Sequence, residues 1–206
     1  MALQRRQASQ QLRAKRTRGH LLAAARRVFA ERGYQGATID DVAEAAGCTK
    51  GACYFHFASK EEILLTLLEE WANERRQRLE QATGGDRASD GVAAVLGALV
   101  SPAALTGREA RLVLQFWSQA ERSAKVRRHL LRAYRTWREA LRGAFTHSND
   151  ARSAAISPED AADVALTLYN GLVVHTYLSL SASAGLQDLT AVLEQLAAPP
   201  TFRAAS

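Results

Sequence analysis

Residues 38–60 read TIDDVAEAAGCTKGACYFHFASK, and this stretch decides the fold. It parses as two short helices joined by a tight turn, followed at once by the start of a third. Thr38 is a good N-cap for the first helix, with Asp40 and Asp41 in its first turn. Ile39, Val42, Ala43 and Ala46 fall at i, i+3, i+4 and i+7, one apolar stripe. Gly47 ends that helix, because glycine accepts the left-handed backbone a helix terminus often needs. Gly47-Cys48 is the turn, and Thr49 caps the second helix, Lys50 to about Phe57. Ser59-Lys60-Glu61-Glu62 reads as a capping box that opens the third.

The second helix carries more chemistry than a connector needs. Cys53, Phe55 and Phe57 are expected on one side, anchoring it to a core. Lys50, Gly51, Ala52, Tyr54 and His56 are expected on the other. Small residues near its start let a partner approach closely, and the exposed N–H groups and dipole there favour a phosphate. Tyr54, His56 and Lys60 offer donors that can flank a nucleic-acid backbone. Each residue taken alone also fits a small helical hairpin inside a core. The joint spacing points to a helix-turn-helix that sets a recognition helix in the DNA major groove.

The run from Thr17 to Leu68 resembles the DNA-binding domain of the TetR family of bacterial transcriptional regulators. The matching elements are Phe29-Ala30-Glu31-Arg32-Gly33-Tyr34, Gly36-Ala37-Thr38-Ile39-Asp40-Asp41-Val42-Ala43 and Ala46-Gly47-Cys48-Thr49-Lys50-Gly51. They continue with Tyr54-Phe55-His56-Phe57 and Ser59-Lys60-Glu61. The resemblance implies phosphate contacts from Thr38, Thr49, Tyr54, His56 and Lys60, and base edges facing Lys50, Gly51 and Ala52. Cys53 departs from the family, which usually has an aliphatic residue there; it should still pack as a small hydrophobe. Of the base-facing set only Lys50 is long enough for strong readout. Gly51 and Ala52 would read by shape or by contact with a thymine methyl.

Upstream, Arg18 to Arg32 predicts a helix whose buried face is Leu22, Ala25, Val28 and Phe29, stopped by Gly33. The preceding residues 1–16 form a basic, flexible arm or a frayed extension of that helix. Arg5, Arg6, Arg13, Lys15, Arg16, Arg18, Arg26 and Arg27 make this end strongly cationic. Residues 1–60 carry +7 and residues 61–206 carry −1, out of a net +6. The excess charge thus accompanies the expected DNA-binding end, where it would displace counterions from phosphates. A solvated tail and an arm lying along DNA account equally well for residues 1–16.

Downstream, Lys60 to about Ala82 predicts a long helix with a stripe of Ile63, Leu64, Leu67, Leu68 and Trp71, turning charged at Glu74, Arg75, Arg76 and Arg78. Thr83-Gly84-Gly85-Asp86 is a break. Helices follow at about 88–100, 108–118, 125–145, 158–180 and 186–197, with no convincing strand. Ser157-Pro158-Glu159-Asp160 announces the fourth of these: serine cap, proline first, acids in the first turn. The expected architecture is all-α. It comprises a basic arm (1–16), a three-helix helix-turn-helix domain (17–62), a helical ligand-binding and dimerisation domain (63–198) and a tail (199–206).

The helix over 158–180 is apolar on more than one side. Val164, Leu168, Leu172 and Val173 form one set; Ala165, Tyr169, Tyr177 and Leu180 form another. A helix apolar nearly all round should be buried nearly all round, one side in its own subunit and the other in a second. Asn170-Gly171-Leu172 also resembles the start of a dimer helix in TetR-type proteins. A homodimer through this helix and that at 186–197 would set two recognition helices roughly 34 Å apart, reading a palindromic operator on double-stranded DNA.

The resemblance further implies that the second domain encloses a small organic effector and couples it to DNA release. Candidate lining residues are Trp71, Leu96, Phe116, Trp117, Tyr134, Trp137, Tyr169, Asn170, Val173 and His175. Aromatics at helical spacing also serve simply as core. A protein that binds DNA without a ligand, its C-terminal half only dimerising, is the alternative. No metal or other cofactor is expected: Cys48 and Cys53 form no CxxC pair, and no Cys/His set has ligand spacing. No glycine-rich phosphate loop, nucleophile elbow or HExxH is present, so no enzymatic activity is expected. Met1 to Arg18 is basic and polar throughout, and no run approaches 18 apolar residues. These features predict a cytoplasmic protein with no membrane partner.

Overall fold

A computed structural model describes residues 1–83, 105–147 and 157–178. These form seven helices, with no strand among the described residues: α1 (Ala2–Gly36), α2 (Ile39–Ala45), α3 (Lys50–His56), α4 (Lys60–Thr83), α5 (Gly107–Arg122), α6 (Ala124–His147) and α7 (Pro158–Tyr177). The helices expected over 88–100 and 186–197, the candidate Leu96 and the tail 199–206 lie outside the described residues. The chain divides into two compact units. One comprises Met1–Glu70 with Arg111–Leu130; the other comprises Trp71–Ala110 with Leu131–Ser206.

In the first unit, α1 runs back to Ala2, so residues 2–16 continue the helix instead of forming a loose arm. Gly33, with φ 73° and ψ 155°, breaks it as expected. The break frees the Tyr34 N–H, which donates to Gln115 Oε1 at 2.9 Å. Gln35 Nε2 donates to Gln119 Oε1 at 2.9 Å, and Ser123 Oγ donates to Glu61 Oε1 at 2.7 Å. These bonds tie α5 and the start of α6 to the helix-turn-helix, where the sequence placed them in the second domain.

α2 packs on α1 and α3. Leu22, Ala25, Val28 and Phe29 are buried as expected, with Val42, Ala43, Cys53, Phe57, Ile63, Leu64, Leu67 and Leu68. Burial of each large side chain contributes about 1.5–3 kcal/mol. Phe55 is the exception: at 80 % exposure it anchors nothing. At 3.6 residues per turn it points about 160° away from the buried Cys53, two positions earlier in α3, so the two cannot share one face.

In the second unit, Trp71, Leu79, Trp137, Leu141, Phe145, Ala165, Leu166, Tyr169, Leu172 and Val173 are buried. Ser157 caps α7 by accepting from Asp160 N at 3.1 Å, and Pro158 takes its first turn, as the sequence predicts. The expected partition of α7 needs correction. Leu172 and Val173 face inward with Ala165 and Tyr169, whereas Val164, Val174, Tyr177 and Leu178 lie outward, 39–52 % exposed. Among the described residues, only one side of this apolar helix is covered. Leu180 lies outside the described residues. Arg75, which lies in the charged run that ends the stripe of α4, is 5 % exposed.

Candidate nucleic-acid interface

α2 and α3 are positioned by caps their own sequence supplies. Thr38 Oγ1 accepts from Asp41 N at 3.1 Å, while the Thr38 N–H donates to Asp41 Oδ2 at 2.8 Å, a complete capping box. Arg32 pairs with Asp41 from α1. The hydrogen bonds from Thr38, then the Arg32 guanidinium, hold the Asp41 carboxyl below its ordinary range. At the other end, Arg27 Nη2 donates to the Ala45 carbonyl at 3.0 Å. Gly47, at φ 64°, lets the Cys48 N–H reach the Ala43 carbonyl at 2.9 Å, so the turn closes in the left-handed conformation expected of glycine. Thr49 Oγ1 then accepts from Ala52 N at 3.1 Å and starts α3.

This geometry turns one face of α3 outward. Lys50, Gly51, Tyr54 and Phe55 are exposed; Ala52 and His56 are half-buried. Among the described residues, a side chain added at Gly51 would meet only Thr49 Oγ1, at 3.9 Å, so none of them demands glycine there. The Thr49 hydroxyl donates to no described residue and remains available to an acceptor. Lys50 Nζ lies 2.7 Å from Asp40 Oδ2, an exposed pair that raises the lysine's pKa chiefly through the hydrogen bond. Such a pair is weak in water and can exchange Asp40 for another acceptor. Phe55 and His56 meet edge to face at 5.1 Å.

Two candidates are engaged internally. The Thr38 hydroxyl donates to Asp41 Oδ2 at 2.7 Å. Lys60 Nζ donates to the Tyr34 and Ala37 carbonyls at 2.8 and 2.7 Å and stands 4.5 Å from the Tyr34 ring centroid. An ammonium has three donors, so one remains for a phosphate. Desolvation lowers its pKa. Sequence reasoning also missed Arg18, which donates to Thr66 Oγ1 at 3.4 Å and lies 4.9 Å from the Phe57 ring centroid. Arg18 and Arg27 thus serve the fold, while Arg13, Lys15 and Arg16 are exposed along α1. A basic residue four positions from an apolar stripe gives no local sign of which role it takes.

The ligand candidates divide between the two units. Trp71, Tyr134, Trp137 and Tyr169 form one aromatic cluster in the second. Trp137 meets Trp71 and Tyr134 at 6.1 and 6.2 Å and Tyr169 at 4.7 Å. Tyr134 donates to Asn170 Oδ1 at 2.8 Å, and Val173 is buried one turn beyond Tyr169. Phe116 and Trp117 belong to the first unit, and His175 is exposed on the outer side of α7. Helical spacing placed all of these on apolar faces without saying which faces meet. Among the described residues, no His/Cys/Asp/Glu group could hold a metal, and no helix is long and apolar enough to cross a membrane.

Comparison with known proteins agrees with this geometry. The profile of bacterial regulatory proteins of the tetR family matches residues 21–67, and that of the BetI-type transcriptional repressor C-terminal domain matches residues 88–198, more than half of the chain. The HTH-type transcriptional repressor AcnR of Corynebacterium efficiens is 46% identical over 54 residues, 26% of this chain and 29% of its own. The chain therefore matches under a third of that relative's length. Among solved structures, a putative transcriptional regulator from Saccharomonospora viridis in complex with choline superposes with TM-score 0.73 at 22% identity, covering 88% of this chain and 95% of that one. FadR from Bacillus subtilis in complex with stearoyl-CoA superposes with TM-score 0.69 at 22% identity, covering 86% and 96%. These likenesses are of fold. The chain belongs to the TetR family of bacterial regulatory proteins, with a BetI-type C-terminal region.

Proposed function

We propose that this protein is a ligand-responsive transcriptional repressor of the cytoplasm. It binds a palindromic operator as a homodimer and leaves it when a small organic molecule occupies the C-terminal helices. The observation that carries this reading is the outward face of α3, where Lys50, Gly51 and Tyr54 stand exposed beside the Thr49 cap. Phosphate contacts from Thr49, Tyr54, His56, Lys60 and the hydroxyl of Thr38 would set the register, and Lys50, Gly51 and Ala52 would face the bases. Functionally, residues 17–62 would bind DNA and residues 63–198 would bind the effector and the second subunit.

The outer face of α7 supports the dimer. Val164, Val174 and Leu178 are exposed, and a side chain at Gly171 would meet no atom of the described residues within 4 Å. An apolar stripe with a glycine at its centre suits close packing against a second copy. The relatives above that bind choline and stearoyl-CoA give precedent for an organic effector without indicating which one. The test is a mobility shift with the DNA upstream of the protein's own gene, combined with sedimentation. A dimer that retards that duplex and is displaced by a small molecule is the expected result. A monomer indifferent to duplex DNA in dilute buffer would overturn the reading.

A further inference from the structure

Arg75 of α4 is 5 % exposed, and none of its three guanidinium nitrogens makes a hydrogen bond among the described residues. Glu109 Oε1 lies 3.8 Å from Nη2, within Coulomb range but outside hydrogen-bond reach. The guanidinium carbon stands 5.2 Å from the centroid of the Tyr169 ring. Around it, Trp137 Nε1 is also buried without a hydrogen-bond partner, and the Tyr169 hydroxyl, which lacks one of good geometry, lies close enough to the Arg75 and Trp71 side chains for both to act against the effect of burial. Burial raises the Tyr169 pKa, so the hydroxyl keeps its proton at neutral pH. Three helices thus bring together an arginine fork, an indole N–H and a phenol, with the Glu109 carboxylate near the fork.

Leaving such donors buried and unpaired is costly, and the cost falls when an acceptor arrives. A carboxylate is acceptor-only and matches the arginine fork with two parallel bonds. A quaternary ammonium, the other guest that aromatic clusters favour, would meet a guanidinium already lying over the Tyr169 face. We propose that Arg75, Trp137 and Tyr169 form the anion-binding end of the effector site, taking the carboxylate of an organic acid whose apolar body lies against the Trp71 and Tyr134 rings. This rests on the ligand-responsive reading above and names its ligand class.

The test titrates full-length protein by calorimetry with benzoate, phenylacetate and octanoate, each beside its primary amide, and with tetramethylammonium. At least one acid is expected to bind saturably, at least about tenfold more tightly than its amide, the value of one charge-assisted hydrogen bond. Arg75→Met should abolish acid binding, and Trp137→Phe should weaken it several-fold with the far-UV circular dichroism unchanged. If Arg75→Met fails to fold, Trp137→Phe and Tyr169→Phe carry the test. Equal affinity for acid and amide, tighter binding of tetramethylammonium than of every acid, or no saturable binding by any acid would each overturn the proposal. Operator release separates the two readings. An acid that binds through Arg75 yet leaves the DNA complex intact supports the anion site and sinks ligand-driven release. Release by amides or cations alone does the reverse.

Discussion

Lys60 stands 4.5 Å from the centroid of the Tyr34 ring and donates to the carbonyl of that same residue at 2.8 Å. With its second bond to Ala37, it closes the carbonyl end that the Gly33 break leaves at the foot of α1. The residue read from the sequence as a phosphate contact is therefore also a brace of the domain. Lys60→Met should lower stability by roughly 1–3 kcal/mol, the cost of orphaning part-buried acceptors. Urea unfolding measures it. An unchanged midpoint would mean that the ammonium only decorates the surface.

Lys50 and Asp40 form the exposed pair nearest the expected base contacts. Asp40→Asn frees the lysine and removes a charge that repels phosphate. Binding should tighten several-fold on all sequences, and the gain should shrink as salt rises. Lys50→Ala should instead relax sequence choice at one or two base pairs. Selection from random duplexes tests the second point; recovery of the parent motif at equal stringency would remove Lys50 from base readout.

Phe55 and Phe57 separate packing from contact. Phe57 is 1 % exposed and Phe55 is 80 % exposed. Phe57→Ala should cost about 3–5 kcal/mol of stability. Phe55→Ala should move stability by no more than about 0.5 kcal/mol. If Phe55 touches the duplex, its removal weakens the operator complex in anisotropy titrations without shifting the melting curve. Equal destabilisation by both substitutions would contradict the orientation of α3.

Asp41 sets an acid limit on the domain. Its pKa is held below 3.8 by the Thr38 hydrogen bonds and then by Arg32, so the folded state favours the ionised carboxylate. That contribution is complete above the unfolded-state carboxylate value and fades as pH falls through the lower folded value. Asp163, lowered chiefly by its hydrogen bond from Arg138, acts in the same direction in the second unit. Urea midpoints taken from pH 7 down to pH 3 should fall less steeply in Asp41→Asn than in the parent. Parallel pH profiles would show that Asp41 is not a source of the acid sensitivity.

The helix-turn-helix was legible because its signals are local. Thr38 bonds Asp41, Thr49 bonds Ala52, Ser157 bonds Asp160, and Gly47 turns the chain between them. Each cap is complete within three residues, so composition and spacing suffice to read it. The same locality made the cationic end and the all-α class visible without coordinates.

What only the tertiary structure decided lies between residues far apart in the chain. Gln115 and Gln119 reach Tyr34 and Gln35 across 81 and 84 positions and draw part of α5 into the unit that holds the helix-turn-helix. Arg75 sits in a run of charged residues, and the structure buries it over Tyr169. Periodicity tells which side of a helix is apolar, but not what will cover that side. A glutamine or arginine reads the same in sequence whether water or a distant carbonyl, carboxylate or ring becomes its neighbour.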